Sequence, residues 1–370
     1  MKKIALLGST GSIGKSTLEV ARHLKLDVVA LGCHSNLELL EKQIQEFQPK
    51  VVAVHDRKAA AELRKRVAIE VLEGEEGMCQ LAALPEVEFV LMAILGLAAL
   101  GPTLCALDAK KALGLANKEV IVSAGELVMS RVDSPLIPVD SEHSALFQCL
   151  QKMEEPKRLI LTASGGPFRN HPKERLASVT REEALAHPTW QMGAKITVDC
   201  STLMNKGFEV IEARWLFDMP MEKIEVVVHP QSIIHSFVEG PDGIVFAQMH
   251  EPSMTIPIQY AITYPQRVAG MAPPFDFFAH KQLDFLPPDM ERFRCLALAF
   301  EAGRQGLSSP CYLNAANEEL VKRFLRQEIE WSAIAHKLEK LMERHQASRM
   351  HDIETVFAVD QQARREAQEL

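Results

Sequence analysis

The stretch Ile4-Ala5-Leu6-Leu7-Gly8-Ser9-Thr10-Gly11-Ser12-Ile13-Gly14 decides the fold of the N-terminal part of the chain. Four apolar residues typical of a buried strand lead into three spaced glycines, and a helical pattern covers residues 16–24. Such glycines let the backbone turn sharply and let a pyrophosphate approach the amide N–H groups at the start of the helix. The stretch predicts a dinucleotide-binding turn, and a tight turn without a ligand is the alternative.

A second alternative comes from Gly14-Lys15-Ser16, which resembles the end of a phosphate-binding P-loop. That motif requires its first glycine at position 9, where this chain has Ser9. The spacing therefore favours a dinucleotide over ATP, and an ATP-dependent phosphotransferase is the less favoured hypothesis.

Strands and helices alternate after the glycine turn, which is typical of a parallel sheet covered by helices on both faces. The sequence predicts an α/β protein whose N-terminal Rossmann-like, dinucleotide-binding domain covers residues 1–128. The predicted strands are 4–7, 28–31, 51–54 and 89–94, and the predicted helices between them are 16–24, 37–47 and 58–66.

The pattern changes beyond residue 123, and we predict a central α/β catalytic domain at 129–264. Its expected strands are 136–139, 159–163, 196–198 and 224–228, with a hairpin of 232–239 and 244–249 and a mobile loop at 164–188. A proline-rich linker, 265–288, is expected to lead to a C-terminal α-helical domain at 289–370. The helices expected there are 293–303, 314–326, 331–346 and 355–368.

The composition excludes several classes of protein. The 370 residues carry 41 Lys+Arg and 49 Asp+Glu, a net charge of −8, so no overall positive field attracts nucleic acid or an anionic membrane. The seven cysteines include no CxxC pair, which argues against a zinc site or a disulfide framework. Met1-Lys2-Lys3 leads directly into a strand pattern without a signal-peptide core, so we expect a cytoplasmic protein.

The end of the second strand bears on the choice of dinucleotide. An NAD site usually places Asp or Glu there, against the ribose hydroxyls. This chain has Gly32, Cys33, His34, Ser35 and Asn36 instead, with no acid to repel a 2′-phosphate. NADP(H) is favoured over NAD(H), although Ser35 and Asn36 are also suited to cap the next helix.

Paired carboxylates follow the strand at 136–139. Asp140 and Glu142 flank Ser141 at the carboxyl end of the strand, where ligands bind in α/β sheets. Close carboxylates repel each other unless a cation lies between them, and oxygen ligands suit Mg²⁺ or Mn²⁺. An acidic helix N-terminus is the equally favoured alternative.

A second group of polar residues lies at 199–209, after a predicted strand and at the start of a helix. Its hydroxyl, amide and ammonium donors suit a phosphate monoester, and Glu209 is a candidate third metal ligand. Ser164-Gly165-Gly166 adds donors after another strand, and His187-Pro188-Thr189-Trp190 reads as a lid over a substrate, with local packing of Trp190 as the alternative.

Several motifs occur together in one order along the chain, and with them it resembles the 1-deoxy-D-xylulose 5-phosphate reductoisomerase family from end to end. The motifs are 8–14, 116–119, 139–143, 164–169, 187–190, 204–207 with Glu209, 229–232 and 313–318. The resemblance implies a homodimer that uses NADPH and a divalent cation (Mg²⁺, Mn²⁺ or Co²⁺). It also implies conversion of a small phosphorylated sugar, 1-deoxy-D-xylulose 5-phosphate, to 2-C-methyl-D-erythritol 4-phosphate in non-mevalonate isoprenoid synthesis.

The resemblance also implies roles for individual residues. The implied metal ligands are Asp140, Glu142 and Glu209, and the implied catalytic residues are Lys118, Ser141, Glu142 and His187. The substrate is expected to contact Lys118, Ser141, Glu142, Ser164, His187, Trp190, Cys200, Asn205, Lys206 and Glu209. The cofactor is expected to contact Thr10, Gly11, Ser12, Ile13, Gly32, His34, Ser35, Asn36, Asn117, Glu119 and Gly193.

Two departures from the family pattern concern phosphate binding. Cys200, a weak hydrogen-bond donor, stands where the family usually has serine, and Ser201 stands in place of alanine and is a candidate replacement donor. Ser35 occupies the position of a lysine near the 2′-phosphate. A simple NADP dehydrogenase acting on a phosphorylated aldehyde and a non-catalytic NADPH sensor are the remaining alternatives.

Overall fold

The computed structural model describes residues 2–153, 155–190 and 192–370. The chain forms two compact units. The first contains Met1–Val120, Val128–Ser144 and Ser253–Pro274, and the second contains Ile121–Leu127, Ala145–Pro252 and Phe275–Leu370. The predicted boundaries at 128, 264 and 288 remain predictions.

The first unit is built on a seven-stranded parallel sheet with the order β4-β3-β2-β1-β5-β6-β7. Its strands are β1 (Lys3–Leu7), β2 (Asp27–Cys33), β3 (Val51–Val54), β4 (Glu70–Glu73), β5 (Phe89–Met92), β6 (Ala112–Leu115) and β7 (Leu136–Pro138). The side chains of β1, β3 and β5 are almost all buried, as expected for a parallel sheet covered on both faces. This confirms the predicted α/β class.

Helices connect these strands. They are α1 (Ser12–Leu24), α2 (Leu37–Phe47), α3 (Arg57–Leu63), α4 (Gly74–Ala82), α5 (Leu100–Asp108), α6 (Lys118–Met129) and α7 (Ser141–Leu150). Because the seven strands are parallel, their carboxyl ends all lie at one edge of the sheet. The glycine turn, Lys118 and Asp140 each follow a strand and therefore lie along that edge.

The second unit contains a four-stranded mixed sheet with the order β11-β10-β8-β9. Its strands are β8 (Arg158–Ala163), β9 (Ile224–Val228), β10 (Ile234–Glu239) and β11 (Val245–Met249). β8 and β9 are parallel, whereas β10 pairs antiparallel with β8 and β11. The predicted hairpin is thus confirmed as β10 and β11.

The remaining helices include the predicted C-terminal group. They are α8 (Arg181–Leu185), α9 (Ala194–Ser201), α10 (Met204–Leu216), α11 (Thr255–Thr263), α12 (Arg294–Gln305), α13 (Ser309–Leu325), α14 (Trp331–Arg344) and α15 (Ile353–Glu369). Every predicted C-terminal helix is present, although α13 begins at Ser309 instead of residue 314.

Two predictions of local structure were wrong. Residues 196–198 form part of helix α9 and not a strand. Thr197 donates its hydroxyl to the Gly193 carbonyl at 2.8 Å, and Lys195 pairs with Asp199 one turn further on, so side-chain contacts at helical spacing outweigh the strand preference of the β-branched residues. The segment 164–188 is not all loop, because it contains a 3-10 helix (Lys173–Ser178) and α8.

Candidate active site

The glycine turn follows β1 as predicted, and two of its glycines are required by the fold. Gly8 has φ +92°, and a Cβ there would lie 2.3 Å from the Ala93 carbonyl oxygen. A Cβ on Gly14 would lie 2.3 Å from the Gly8 carbonyl oxygen. At Gly11 the nearest atom to a Cβ is 3.4 Å away, so packing of the protein does not demand glycine there. The space beside Gly11 suits the close approach of a ligand.

The start of α1 offers backbone donors to an anion. Among the described residues, no side chain caps this helix, and Thr10, Gly11, Ser12 and Ile13 are exposed or half-buried. The turn itself is held by Gly8 and Ser9, whose N–H groups both donate to the Gly32 carbonyl at 2.8 Å. The arrangement fits the pyrophosphate of a dinucleotide.

The end of β2 exposes His34, Ser35 and Asn36, and no acidic residue lies among them. His34 Nδ1 lies 3.1 Å from Ser35 Oγ. Asn36 Oδ1 accepts a hydrogen bond from Leu39 N at 3.2 Å, so the capping alternative is confirmed for Asn36.

Asn117 holds the sheet edge together. Its Nδ2 donates to the carbonyls of Ile94 (2.6 Å) and Gly96 (2.8 Å), and its Oδ1 accepts from Val120 N at 3.0 Å. These bonds fix the loop after β5 and cap α6, which begins with Lys118 and the half-buried Glu119. Both N–H donors of the Asn117 side chain are used within the fold, and its contact with the cofactor stays a prediction.

Asp140 is a half-buried carboxylate held by two basic side chains. Lys118 Nζ lies 2.9 Å from its Oδ2, and His143 Nδ1 lies 3.2 Å from its Oδ1. Burial alone would raise the pKa of Asp140, but Lys118 and His143 outweigh burial and hold that pKa well below its usual range. Asp140 is therefore an anion at neutral pH.

Asp140 also caps a helix, so the alternative reading of this motif is confirmed in part. Its Oδ1 accepts from the N–H of Glu142 at 3.3 Å, in the first turn of α7. Ser141 Oγ donates to Glu142 Oε2 at 2.5 Å. Capping uses one oxygen of Asp140 and leaves the carboxylate of Glu142 turned toward Ser141.

The first turns of α10 carry the second polar group. Asn205 Nδ2 donates to Glu209 Oε1 at 2.7 Å, and Lys206 donates to Glu209 Oε2. Lys206 and Glu209 are only 3% and 1% exposed. Burying an ammonium and a carboxylate is costly unless they pair, and here they satisfy each other.

The fold brings the three candidate metal ligands together. Asp140, Glu142 and Glu209 each offer a carboxylate oxygen, and these oxygens lie within 4.8 Å of one another. Three carboxylates at this separation repel each other strongly, and a divalent cation relieves that repulsion. The all-oxygen donor set fits Mg²⁺ or Mn²⁺.

Ser164 and His187 form a hydrogen-bonded pair. His187 Nδ1 accepts from the backbone N–H of Thr189 (3.1 Å) and of Trp190 (2.9 Å), so its proton is placed on Nε2. Nε2 lies 3.1 Å from Ser164 Oγ, which also accepts from Gly166 N at 3.2 Å. The hydroxyl of Ser164 therefore accepts twice and keeps its own proton for a ligand.

His187 is neutral at physiological pH. Burial lowers the pKa of its imidazole, and the nearby Arg169 lowers it further. The neutral ring orders the two residues after Pro188, Thr189 and the half-buried Trp190. Gly193, exposed, caps α9 at the other end of this segment.

The region around Cys200 corrects one expectation. Cys200 is half-buried near the end of α9. Ser201 is fully buried; its Oγ donates to the Val198 carbonyl at 2.6 Å and accepts from Trp331 Nε1 at 2.8 Å. The expectation that Ser201 replaces the missing phosphate donor is wrong, because its hydroxyl is committed to Val198 and Trp331.

The sequence did not reveal the residues that support the two candidate phosphate-binding segments, 164–166 and 199–205. The ring of Trp331 packs edge-on against Phe168, with centroids 5.2 Å apart, while its N–H binds Ser201. A Cβ on Gly166 would lie 2.4 Å from the Cys200 carbonyl oxygen, so the two loops are in backbone contact. No local pattern links Trp331 to residues more than a hundred positions earlier.

Comparison with known proteins agrees with this geometry. The model of 1-deoxy-D-xylulose 5-phosphate reductoisomerase matches residues 4–125, and models of the C-terminal domains of that enzyme match 136–217 and 249–366. The enzyme of this name from Protochlamydia amoebophila is 53% identical over 375 residues, covering 99% of this chain and 98% of the relative. The chain belongs to the 1-deoxy-D-xylulose 5-phosphate reductoisomerase family. The relative from Geotalea uraniireducens is 51% identical and covers 100% of this chain and 98% of its own length.

Solved structures of the family share the whole fold. The Zymomonas mobilis enzyme in complex with NADPH is 39% identical, with a TM-score of 0.93 and coverage of 99% of this chain and 98% of that one. A reductoisomerase in complex with NADPH, fosmidomycin and magnesium is 35% identical, with a TM-score of 0.95 and coverage of 100% and 98%. The family's fold thus extends over both units.

Two further observations concern membrane-spanning helices and the state of the cysteines. Each helix in the described ranges is too short or too polar to pass through a bilayer. All seven cysteines are free thiols.

Proposed function

We propose that this chain converts 1-deoxy-D-xylulose 5-phosphate to 2-C-methyl-D-erythritol 4-phosphate with NADPH and a divalent cation. Membership of the reductoisomerase family supports the reaction, and the cluster of Asp140, Glu142 and Glu209 carries it. Plain hydride transfer to an aldehyde needs no such cluster, whereas a rearrangement that develops negative charge on neighbouring substrate oxygens would be stabilised by a divalent cation held there.

NADPH is the reductant, and the first unit supplies its site. The exposed turn at Gly11 and the open N-terminus of α1 accept the pyrophosphate. The absence of an acid among Gly32–Asn36 leaves room for a 2′-phosphate. Related enzymes have been solved with NADPH, which supports this choice.

Asp140, Glu142 and Glu209 are the residues that would hold the cation. When bound, Mg²⁺, Mn²⁺ or Co²⁺ polarises the ketone and neutralises charge on neighbouring substrate oxygens. The ammonium of Lys118 keeps Asp140 ionised, and Lys206 forms an ion pair with Glu209. Asp140 is therefore ready as an anion at neutral pH.

The remaining side chains position the substrate. Ser141 offers a hydroxyl beside Glu142, where it can exchange a proton with a reacting oxygen of the substrate. Ser164, held by His187, donates its free proton to a phosphate or hydroxyl oxygen. Asn205 and Lys206 add an amide and a charge at the start of α10, and Trp190 closes over them.

The product distinguishes this function from simple reduction. The protein is incubated with 1-deoxy-D-xylulose 5-phosphate, NADPH and Mn²⁺, and the product is identified by NMR. We expect the branched 2-C-methyl-D-erythritol 4-phosphate. An unbranched reduced sugar would contradict the rearrangement, and no oxidation of NADPH would contradict the function altogether.

A homodimer built on β11 is part of the proposal. β11 is an edge strand of its sheet, and Ile244, Val245 and Phe246 are 54%, 48% and 40% exposed. An exposed apolar edge strand is a site for pairing with another chain, and a second copy of this chain satisfies it symmetrically. We also place the enzyme in the cytoplasm, whose reducing conditions suit seven free thiols.

We propose that the NADPH-binding domain covers 1–128, the catalytic domain 129–264 and the helical domain 289–370. It is supported by the positions of the motifs, since the candidate metal and substrate ligands other than Lys118 all lie within 129–264.

A further inference from the structure

Two histidine rings stack at the carboxyl ends of neighbouring strands. His34 follows β2 and His55 follows β3, and their ring centroids are 5.2 Å apart with an interplanar angle of 20°. The parallel register pairs Cys33 with Val54, directly before the two histidines. Their side-by-side placement therefore follows from the sheet itself.

The backbone holds this pair in place. His55 N donates to the Cys33 carbonyl at 3.0 Å, and Asp56 N donates to the His34 carbonyl at 2.9 Å. These bonds extend the β2–β3 ladder beyond the ends of both strands. His34 is exposed and His55 is half-buried, so both rings are accessible at this edge of the sheet.

The stack lies at the position where a dinucleotide-binding fold contacts the adenosine ribose. The first strand of the fold carries the pyrophosphate turn, and the end of the second strand meets the ribose. Here the two are joined directly, because Gly8 and Ser9 of the turn donate to Gly32, two residues before His34.

We propose that His55, stacked with His34, is a specificity-determining residue that recognises the 2′-phosphate of NADPH. The inference rests on the proposed function for the presence of the cofactor. Ser35 carries no charge to bind a phosphate, and the stacked imidazoles supply ring N–H donors beside it. A hydrogen bond to a phosphate is charge-assisted and stronger than one between neutral groups.

Charged groups surround the stack. Asp56 Oδ1 accepts from the N–H of Ala59 at 2.8 Å, where it caps α3. Lys58, on the same helix, and His34 of the stack both attract the Asp56 carboxylate. Glu38 on α2 is paired with Lys42 at 2.9 Å, and Arg57 is paired with Glu76 at 3.4 Å. The hydroxyl of Ser35, 3.1 Å from His34 Nδ1, completes the polar surface.

Equilibrium binding of NADPH and NADH separates recognition from packing. The variants are His55→Phe, which keeps a ring to stack but has no nitrogen, and His55→Ala. His23→Ala is the control, because His23 is an exposed histidine at the far end of α1. Dissociation constants are measured by quenching of protein fluorescence or by calorimetry, without substrate.

We expect both His55 variants to weaken NADPH binding by about tenfold, as expected for loss of a charge-assisted hydrogen bond, with NADH binding changed by less than about twofold. The His23 control should bind both cofactors like the unmodified protein.

Two results would overturn the inference: unchanged NADPH affinity in His55→Phe, or an equal loss of affinity for NADPH and NADH. Failure of the proposed function looks different, because then the unmodified protein itself binds neither cofactor.

Discussion

A methyl group added at Gly11 would test whether glycine is needed there for packing of the protein or for the approach of a ligand. A Cβ at Gly14 would collide with the Gly8 carbonyl oxygen at 2.3 Å, whereas at Gly11 it would meet that atom at 3.4 Å. Gly11→Ala should therefore change the free energy of unfolding by less than about 1 kcal/mol and yet weaken NADPH binding about tenfold or more, because the methyl group occupies the place of the pyrophosphate.

Gly14→Ala is the matched control for that substitution. The clash is with backbone, so the free energy of unfolding should fall by about 2 kcal/mol or more. Urea denaturation and NADPH titration of both variants check the pair. Equal destabilisation by the two substitutions would show that Gly11 also serves packing.

Protonation of His187 is expected to lower kcat/KM at acidic pH. Its neutral ring accepts two backbone hydrogen bonds at Nδ1, and burial lowers its pKa from the usual 6.5. As the pH falls through that lowered pKa, Nδ1 gains a proton, both bonds break, and the segment bearing Trp190 loosens. We expect kcat/KM to fall on the acid side of neutrality for this reason.

His187→Asn tests the assignment, because an asparagine oxygen can accept the same backbone bonds without titrating. We expect kcat/KM to drop by about tenfold, from loss of the bond to Ser164, while the acid limb attributed to His187 disappears. A pH–rate profile for the variant that keeps the limb at the same pH would assign it to another group.

Several residues of the candidate site were predictable from the sequence because the signal is local. Asp140 and Glu142 follow a strand and begin a helix within four residues, and the glycine turn has its three glycines within seven. Glu209 lies on a distant helix, and the polar group at 199–209 marked it as a candidate ligand without showing that it meets Asp140 and Glu142. His55 was missed, although the parallel order of β2 and β3 places the residue after β3 beside the residue after β2.

At the scale of elements, α14 clamps the end of α9 through one side chain. Trp331 Nε1 donates to Ser201 Oγ at 2.8 Å, and its ring packs on Phe168. Because α9 leads into the donors at the start of α10, this contact orders a candidate phosphate loop from outside it.

Trp331→Phe should test that clamp, since it keeps a ring against Phe168 and removes the N–H. We expect the free energy of unfolding to fall by about 1 kcal/mol and KM for the sugar phosphate to rise, with kcat nearly unchanged. Ser201→Ala, which leaves the indole N–H buried without that acceptor, should cost a similar amount, and the double variant should cost less than the sum. Additive losses would show that the two side chains act independently.

The helix α9 shows why some elements escape a reading of the sequence. Ile196-Thr197-Val198 has the β-branched composition of a strand. The competing signals are the Lys195–Asp199 pair at helical spacing and the contact of Asp199 with Asn317 Nδ2 at 2.8 Å. The second contact joins residues 118 positions apart, so the sequence around α9 contains no trace of it.

At the scale of the whole molecule, the proposed dimer depends on the exposed edge of β11. Phe246→Glu should place charge on that edge and halve the mass measured by light scattering after gel filtration. Phe278→Glu is the control, because Phe278 is 89% exposed and lies outside the sheet. An unchanged mass for the Phe246 variant would move the interface elsewhere.

The central claim is that Asp140, Glu142 and Glu209 hold one divalent cation on which the rearrangement depends. The most direct measurement is a Mn²⁺ titration of metal-stripped protein, followed by NADPH oxidation in the presence of 1-deoxy-D-xylulose 5-phosphate. Glu209→Gln is compared with Glu222→Gln, which removes an exposed carboxylate. We predict no turnover without metal, saturable recovery with Mn²⁺ in the unmodified protein and the Glu222 variant, and none in the Glu209 variant, whose affinity for NADPH stays the same. Turnover that persists in the metal-stripped protein, or that Glu209→Gln leaves intact, would contradict the account.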